Sequence, residues 1–134
     1  MASVVPPAAH STGTVKTILI VDDDPLIGRA MRTVLGKAGF RAFVYRTAAE
    51  GLEHADSAIA AAIVDIHLPD MNGLELSQQL RQRLGPDAPI FILSGDKSID
   101  TIRQLPDAGA TYFFAKPVNA DVLIQRLMEW TTGR

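Results

Sequence analysis

The chain contains no cysteine. That excludes disulfides, thiolate metal sites and cysteine nucleophiles, and it is compatible with a reducing cytoplasm. An excess of charge of one sign is also missing. Lys and Arg number 13 against 15 Asp and Glu, a formal net charge of −2, so the basic footprint of a nucleic-acid binder is absent. No apolar run approaches the ~20 residues of a membrane-spanning helix. The opening MASVVPPAAHSTGTVK has neither the basic start nor the long apolar middle of a secretory signal. Its Pro, Ala, Ser, Thr and Gly content reads as a flexible leader over residues 1–16. What remains is 134 residues with 47% hydrophobic content, enough for one globular domain with a sizeable core.

Strand-like and helix-like segments alternate along residues 17–131, and residues 132–134 read as a tail. Short apolar runs at 17–21, 41–45, 61–64, 89–93 and 111–115 read as strands. Each precedes a helical pattern with a start signal or a periodic apolar face. Asp24 is an N-cap with Pro25 at the first helical position, and Gly39 ends that helix. Thr47 and Glu50 have capping-box spacing, as do Asn72 and Glu75. A fourth helix is expected over 98–105, ended early by Pro106, and Asn119 caps a fifth that runs to about Trp130. Mostly apolar strands in strict alternation with helices predict an α/β fold with a parallel sheet covered on both faces.

Ligands of such sheets bind beyond the carboxyl ends of the strands. The first strand ends in Asp22, Asp23 and Asp24, the third in Asp65, the fourth in Ser94 and the fifth in Lys116. Two carboxylates about 4 Å apart repel by about 4 kcal/mol at an effective dielectric of about 20. A fold of marginal stability tolerates such a cluster with a cation or a hydrogen-bond network beside it. Carboxylates without Cys or His partners suit a hard, oxygen-seeking cation, and Mg²⁺ fits best. A hydroxyl that donates to an oxyanion and a lysine that neutralises one complete a pocket for a phosphoryl group. In the absence of a separate nucleophile, a carboxylate can itself attack phosphorus and form an aspartyl phosphate. Asp24 reads instead as the helix cap, and Asp70 and Asn72-Gly73 as turn and cap chemistry. An Asp65–His67 transition-metal pair is disfavoured, because the strand should end at Asp65 and Leu-Pro follows at once.

Four stretches carry a resemblance. LIVDDD (19–24), IVDIHLPDMNG (63–73), FILSG (91–95) and FFAKPV (113–118) resemble, in order and spacing, the receiver domains of two-component response regulators, here of single-domain chemotaxis type. The resemblance implies a flavodoxin-like (βα)5 fold with strand order 2-1-3-4-5. It implies Asp65 as phosphoacceptor, with Ser94 bonding the phosphoryl group and Lys116 pairing with it. Asp23 would ligate Mg²⁺ directly, Asp22 through water, Asp65 and the His67 backbone carbonyl completing the site, and Mn²⁺ could substitute. Phe113 matches the aromatic that moves with Ser94, although it lacks the phenolic hydroxyl many relatives carry, and it also suits a plain core position. Pro117 follows a Lys–Pro bond that is often cis in the family. His67 and Asp96 lie where relatives tune phosphoryl lifetime.

The expected function follows from that resemblance. A histidine kinase or histidine phosphotransfer protein would donate a phosphoryl group to Asp65. The resulting switch would act on a downstream protein through the helix 4–strand 5–helix 5 face, without nucleic acid or membrane and in the cytoplasm. The chain would not be an enzyme beyond its own phosphorylation and dephosphorylation. Two alternatives stand beside this. One is a receiver cut from a larger hybrid kinase or response regulator. The other is a Mg²⁺-dependent aspartyl-phosphate phosphohydrolase, although the D-x-D motif of haloacid-dehalogenase-like enzymes is here Asp65-Ile66-His67.

Overall fold

The computed structural model describes residues 15–95 and 103–132. Five parallel strands form one sheet in the order β2-β1-β3-β4-β5. They are β1 (Thr17–Val21), β2 (Arg41–Tyr45), β3 (Ala61–Asp65), β4 (Ile90–Ser94) and β5 (Tyr112–Ala115). The described helices are α1 (Pro25–Lys37), α2 (Ala48–Glu53), α3 (Gly73–Leu84) and α4 (Ala120–Thr132). The expected parallel α/β architecture and strand order are both present.

Alternation along each strand divides the core between the two faces of the sheet. Leu19, Val21, Ala62, Val64, Ile90 and Ile92 join Leu76 and Leu80 of α3 and Leu52 of α2. Ile18, Ile20, Ala61, Ile63, Phe91 and Leu93 join Met31 and Leu35 of α1 and Leu123 and Leu127 of α4. Each helix buries a stripe at three- and four-residue spacing, as a surface helix on a sheet must. Fully burying one such Leu or Ile stabilises by roughly 1.5–3 kcal/mol before conformational entropy is subtracted.

The helix starts match the expected caps. The Asp24 carboxylate accepts from Leu26 N and the Thr47 hydroxyl from Glu50 N. Asn72 Oδ1 accepts from Leu74 N, and Asn119 Oδ1 from Asp121 N and Val122 N. Gly39 has a φ of 97°, the left-handed conformation that ends α1 cheaply only for glycine. Strand ends differ from expectation by one residue. β3 runs through Asp65 and β4 through Ser94, because Ile66 N and Lys116 N bond Leu93 O and Ser94 O and carry the ladder one step further. The C-terminal helix extends to Thr132. Most of the expected helix over 98–105 lies outside the described residues, as does Asp96. Its described part, residues 103–104, is helical and gives way to a turn at Leu105, one residue before Pro106.

Candidate functional site

The carboxyl ends of β1, β3, β4 and β5 converge on one edge, and the acids there are held by backbone. Asp22 is 1% exposed; its N–H donates to Tyr45 O, and its Oδ1 accepts from Asp24 N at 2.9 Å. Asp65 is 6% exposed, and its Oδ1 accepts from His67 N at 3.2 Å. Asp23, next in the chain, faces solvent. Carboxylate oxygens of Asp22, Asp23 and Asp65 all lie within 4.8 Å of one another. Asp24, as expected, turns away to cap α1.

Lys116 reaches the cluster from the end of β5. Its Nζ is 3.1 Å from Asp65 Oδ2 and 3.6 Å from Asp22 Oδ2. The first is a charge-assisted hydrogen bond; the second is an ion pair beyond hydrogen-bond range. The peptide bond from Lys116 to Pro117 is cis. Ser94 is fully buried beside this point, and its carbonyl accepts from Lys116 N at 2.9 Å. Phe113 pairs with Ile92 in the ladder, and Ala115 pairs with Ser94. Phe113 therefore lies on the same face of the sheet as Ser94, two residues back from the edge, half-buried against the core of that face. Both of its readings, core aromatic and switch partner, fit that position.

The electrostatics call for a cation. Three carboxylates face one ammonium. Burial pushes the Asp22 carboxyl above the usual 3.8; the Asp24 amide and Lys116 oppose this, and Asp65 and Asp23 add to it. Burial alone would lower the Lys116 ammonium, but its hydrogen bond to Asp65 and the charges of both acids raise it above 10.5. Asp22 Oδ2 is buried and accepts no hydrogen bond from the described residues. Such an atom is costly unless a cation supplies the missing partner. An all-oxygen donor set with one buried oxygen that accepts no hydrogen bond and has only the Lys116 ammonium, 3.6 Å away, beside it fits a hard divalent ion. The His67 side chain is exposed and is not among the three carboxylates gathered here.

Two polar anchors were not apparent from the sequence, Asp70 in the loop after β3 and Arg81 at the opposite end of the sheet from the acids. Asp70 accepts from Ala48 N and Ala49 N, so it caps a helix that begins 22 residues earlier rather than its own turn. Arg81 donates to Gly85 O, Ala88 O and, through two nitrogens, Gly109 O, which ties α3 to the approaches of β4 and β5. Neither tie has a local signal, because Ala48 and Ala49 for Asp70, and Gly109 for Arg81, come from distant segments.

Comparison with known proteins agrees with this geometry. A profile of the response regulator receiver domain matches residues 18–128. The chain is 36% identical over 116 residues to the sensory/regulatory protein RpfC of Xanthomonas campestris pv. campestris, covering 84% of this chain and 16% of RpfC. It thus spans only a part of that relative's length. A CheY-like response regulator receiver domain protein from Methanospirillum hungatei superposes with a TM-score of 0.79 at 33% identity, over 87% of this chain and 93% of that one. A response regulator from Burkholderia pseudomallei, solved with a phosphorylated aspartic acid, a calcium ion and citrate, superposes with a TM-score of 0.75 at 29% identity, over 88% of this chain and 68% of that one. With the profile spanning nearly the whole described fold and the acids gathered where the strands end, the chain belongs to the response regulator receiver domain family of two-component signalling.

Proposed function

We propose that Asp65 accepts a phosphoryl group from a phosphohistidine on a kinase or phosphotransfer protein, with Mg²⁺ held by Asp23, Asp65 and the His67 carbonyl directly and by Asp22 through water. The observation that carries this reading is the placement of Asp65, nearly buried between the Lys116 ammonium and the carboxylates of Asp22 and Asp23. When bound, the cation neutralises charge on the phosphoryl oxygens and the surrounding acids. In the transfer, an Asp65 oxygen forms a bond to phosphorus. The P–N bond to the donor imidazole breaks, and its electron pair leaves with the ring nitrogen. Lys116, already bonded to Asp65 Oδ2, stays within reach of the new anionic oxygens, and the Ser94 hydroxyl donates to one of them. Catalysis here is positioning and charge stabilisation rather than side-chain proton transfer. Hydrolysis of the same acyl phosphate resets the domain, and it is the only other reaction assigned to the chain.

Beside the acids, a cleft of about 460 Å³ runs between α1 and α4, lined by Ile27, Met31, Val34, Pro117 and Leu123, with Lys116 on its wall. An apolar surface that shares a residue with the site supports a donor that is a folded protein. Phosphorylation is then read out by a downstream protein over β5 and the helices beside it. β5 is an edge strand, and α4 leaves Val122 40% exposed. We place this cycle in the cytoplasm, as expected of a two-component receiver domain. A second reading, a receiver module of a larger hybrid sensor protein, is favoured by the match to RpfC, of which the chain covers 16%. The site chemistry is the same in both.

Transfer from a phosphorylated histidine phosphotransfer protein tests the assignment. We expect label to move to the wild-type chain and to be released by hydroxylamine, as an acyl phosphate is. Asp65→Asn should take none while keeping its fold, and Lys116→Ala should retain phosphate without switching partner binding. Label that survives hydroxylamine, or that persists in Asp65→Asn, rejects the reading.

A further inference from the structure

The loop between β3 and α3 carries a carboxylate that the site itself does not use. Asp70 Oδ1 accepts from Ala48 N at 2.9 Å and Oδ2 from Ala49 N at 3.0 Å. Both amides belong to the first turn of α2, where N–H groups have no partner within the helix. Yet α2 is already capped without Asp70. The Thr47 hydroxyl accepts from Glu50 N at 3.2 Å, and Glu50 Oε1 reaches back to Arg46 N at 3.3 Å. The element that gains an anchor is therefore the loop. Two bonds from one carboxylate fix orientation as well as distance. The two amides also hold the Asp70 carboxyl below the usual carboxylate range, so it is ionised and accepting at neutral pH.

The other end of that loop touches the acceptor. His67 N donates to Asp65 Oδ1, and His67 pairs with Asn72 in an isolated antiparallel bridge. Gly73 N donates to Ile66 O at 2.8 Å. A Cβ on Gly73 would overlap the Asp65 carbonyl oxygen, so the start of α3 is pressed against the acceptor's own backbone. Residues 66–72 thus form a closed loop with the Asp65 carboxylate at its base and Asp70 near its tip. We propose that Asp70 is a positioning residue for phosphoryl transfer, latching this loop to α2 so that the His67 amide holds the Asp65 carboxylate in place. The proposal rests on the reading of Asp65 as phosphoacceptor. It adds a mechanical link from the acceptor to β2 and α2, an edge of the sheet that contributes no side chain to the acidic cluster.

Amide hydrogen exchange on the full chain, with Mg²⁺ titration by calorimetry, separates this role from simple helix capping. The variants are Asp70→Ala, Asp70→Asn and, as a control that weakens the α2 cap alone, Thr47→Ala. We expect Asp70→Ala to speed exchange at His67 and Gly73 by about tenfold. Ile92 and Leu93 in β4 should be unaffected. Asp70→Asn, which keeps one acceptor, should fall between, and it carries the test if Asp70→Ala loses protection in β4. Mg²⁺ affinity should weaken by about tenfold in Asp70→Ala, and Thr47→Ala should change neither readout. Exchange and Mg²⁺ affinity both at wild-type values in Asp70→Ala overturn the proposal, as does a Thr47→Ala chain that reproduces both losses. A wild-type chain that binds no Mg²⁺ and takes no label on Asp65 overturns the phosphoacceptor reading instead.

Discussion

At the scale of single residues, the site is a place where stability yields to chemistry. Asp22 is buried, one of its oxygens accepts no hydrogen bond from the described residues, and its carboxyl is pushed up. A carboxyl whose folded pKa is raised binds protons more tightly in the native state. Its contribution is then most favourable below the unfolded value of 3.8 and is lost as pH rises through the raised folded value. In Mg²⁺-free buffer, Asp22→Asn should therefore be more stable than wild type at neutral pH, and the gap should close as pH falls through that window. Urea midpoints measured across pH give this comparison directly. Mg²⁺ should stabilise wild type, by about 2.7 kcal/mol at one hundred times Kd, and stabilise Asp22→Asn less at the same concentration, because the variant loses the water-bridged ligand. The identities of Asp22, Asp23, Asp65, Ser94 and Lys116 were all legible as strand-end residues. The burial that makes Asp22 costly was not, because it depends on which segments close over it.

At the scale of elements, most boundaries follow from local chemistry. Caps at Asp24, Thr47, Asn72 and Asn119 stand where side-chain oxygens were expected to meet free amides. The strands at Asp65 and Ser94 run one residue long because a neighbouring strand supplies the extra bond, which no local pattern encodes. Arg81 shows the same limit more strongly. In sequence it is an ordinary helix-end cation. In the fold it bonds three carbonyls, one of them 28 residues away, and burial lowers its guanidinium. Arg81→Ala should cost roughly 2–4 kcal/mol of unfolding free energy, since partly buried carbonyls lose charged donors. Arg81→Lys should recover only part, because an ammonium cannot reproduce the planar fork. Chemical denaturation checks both, and neither variant should alter the yield of phosphorylated protein under conditions where it is folded.

For the whole molecule, alternation of apolar runs with capped helices was enough to read a parallel sheet and to predict which residues gather beyond the carboxyl ends of its strands. Strand order came from family resemblance alone, and the observed sheet agrees with it. The division of Ile18 and Leu19, or Ile63 and Val64, between opposite faces is implicit in a two-residue period. The long-range ties from Asp70 to α2 and from Arg81 to Gly109 are products of the assembled fold. The claim that joins these levels is that the sheet edge exists to make Asp65 a cation-dependent phosphoacceptor. Intact mass after incubation with Mg²⁺ and a small acyl phosphate donor tests it most directly, run beside Asp65→Asn and a chelated control. A phosphate-sized gain in the wild type alone is the predicted result. A gain that survives in Asp65→Asn, or that persists without the metal, would contradict it.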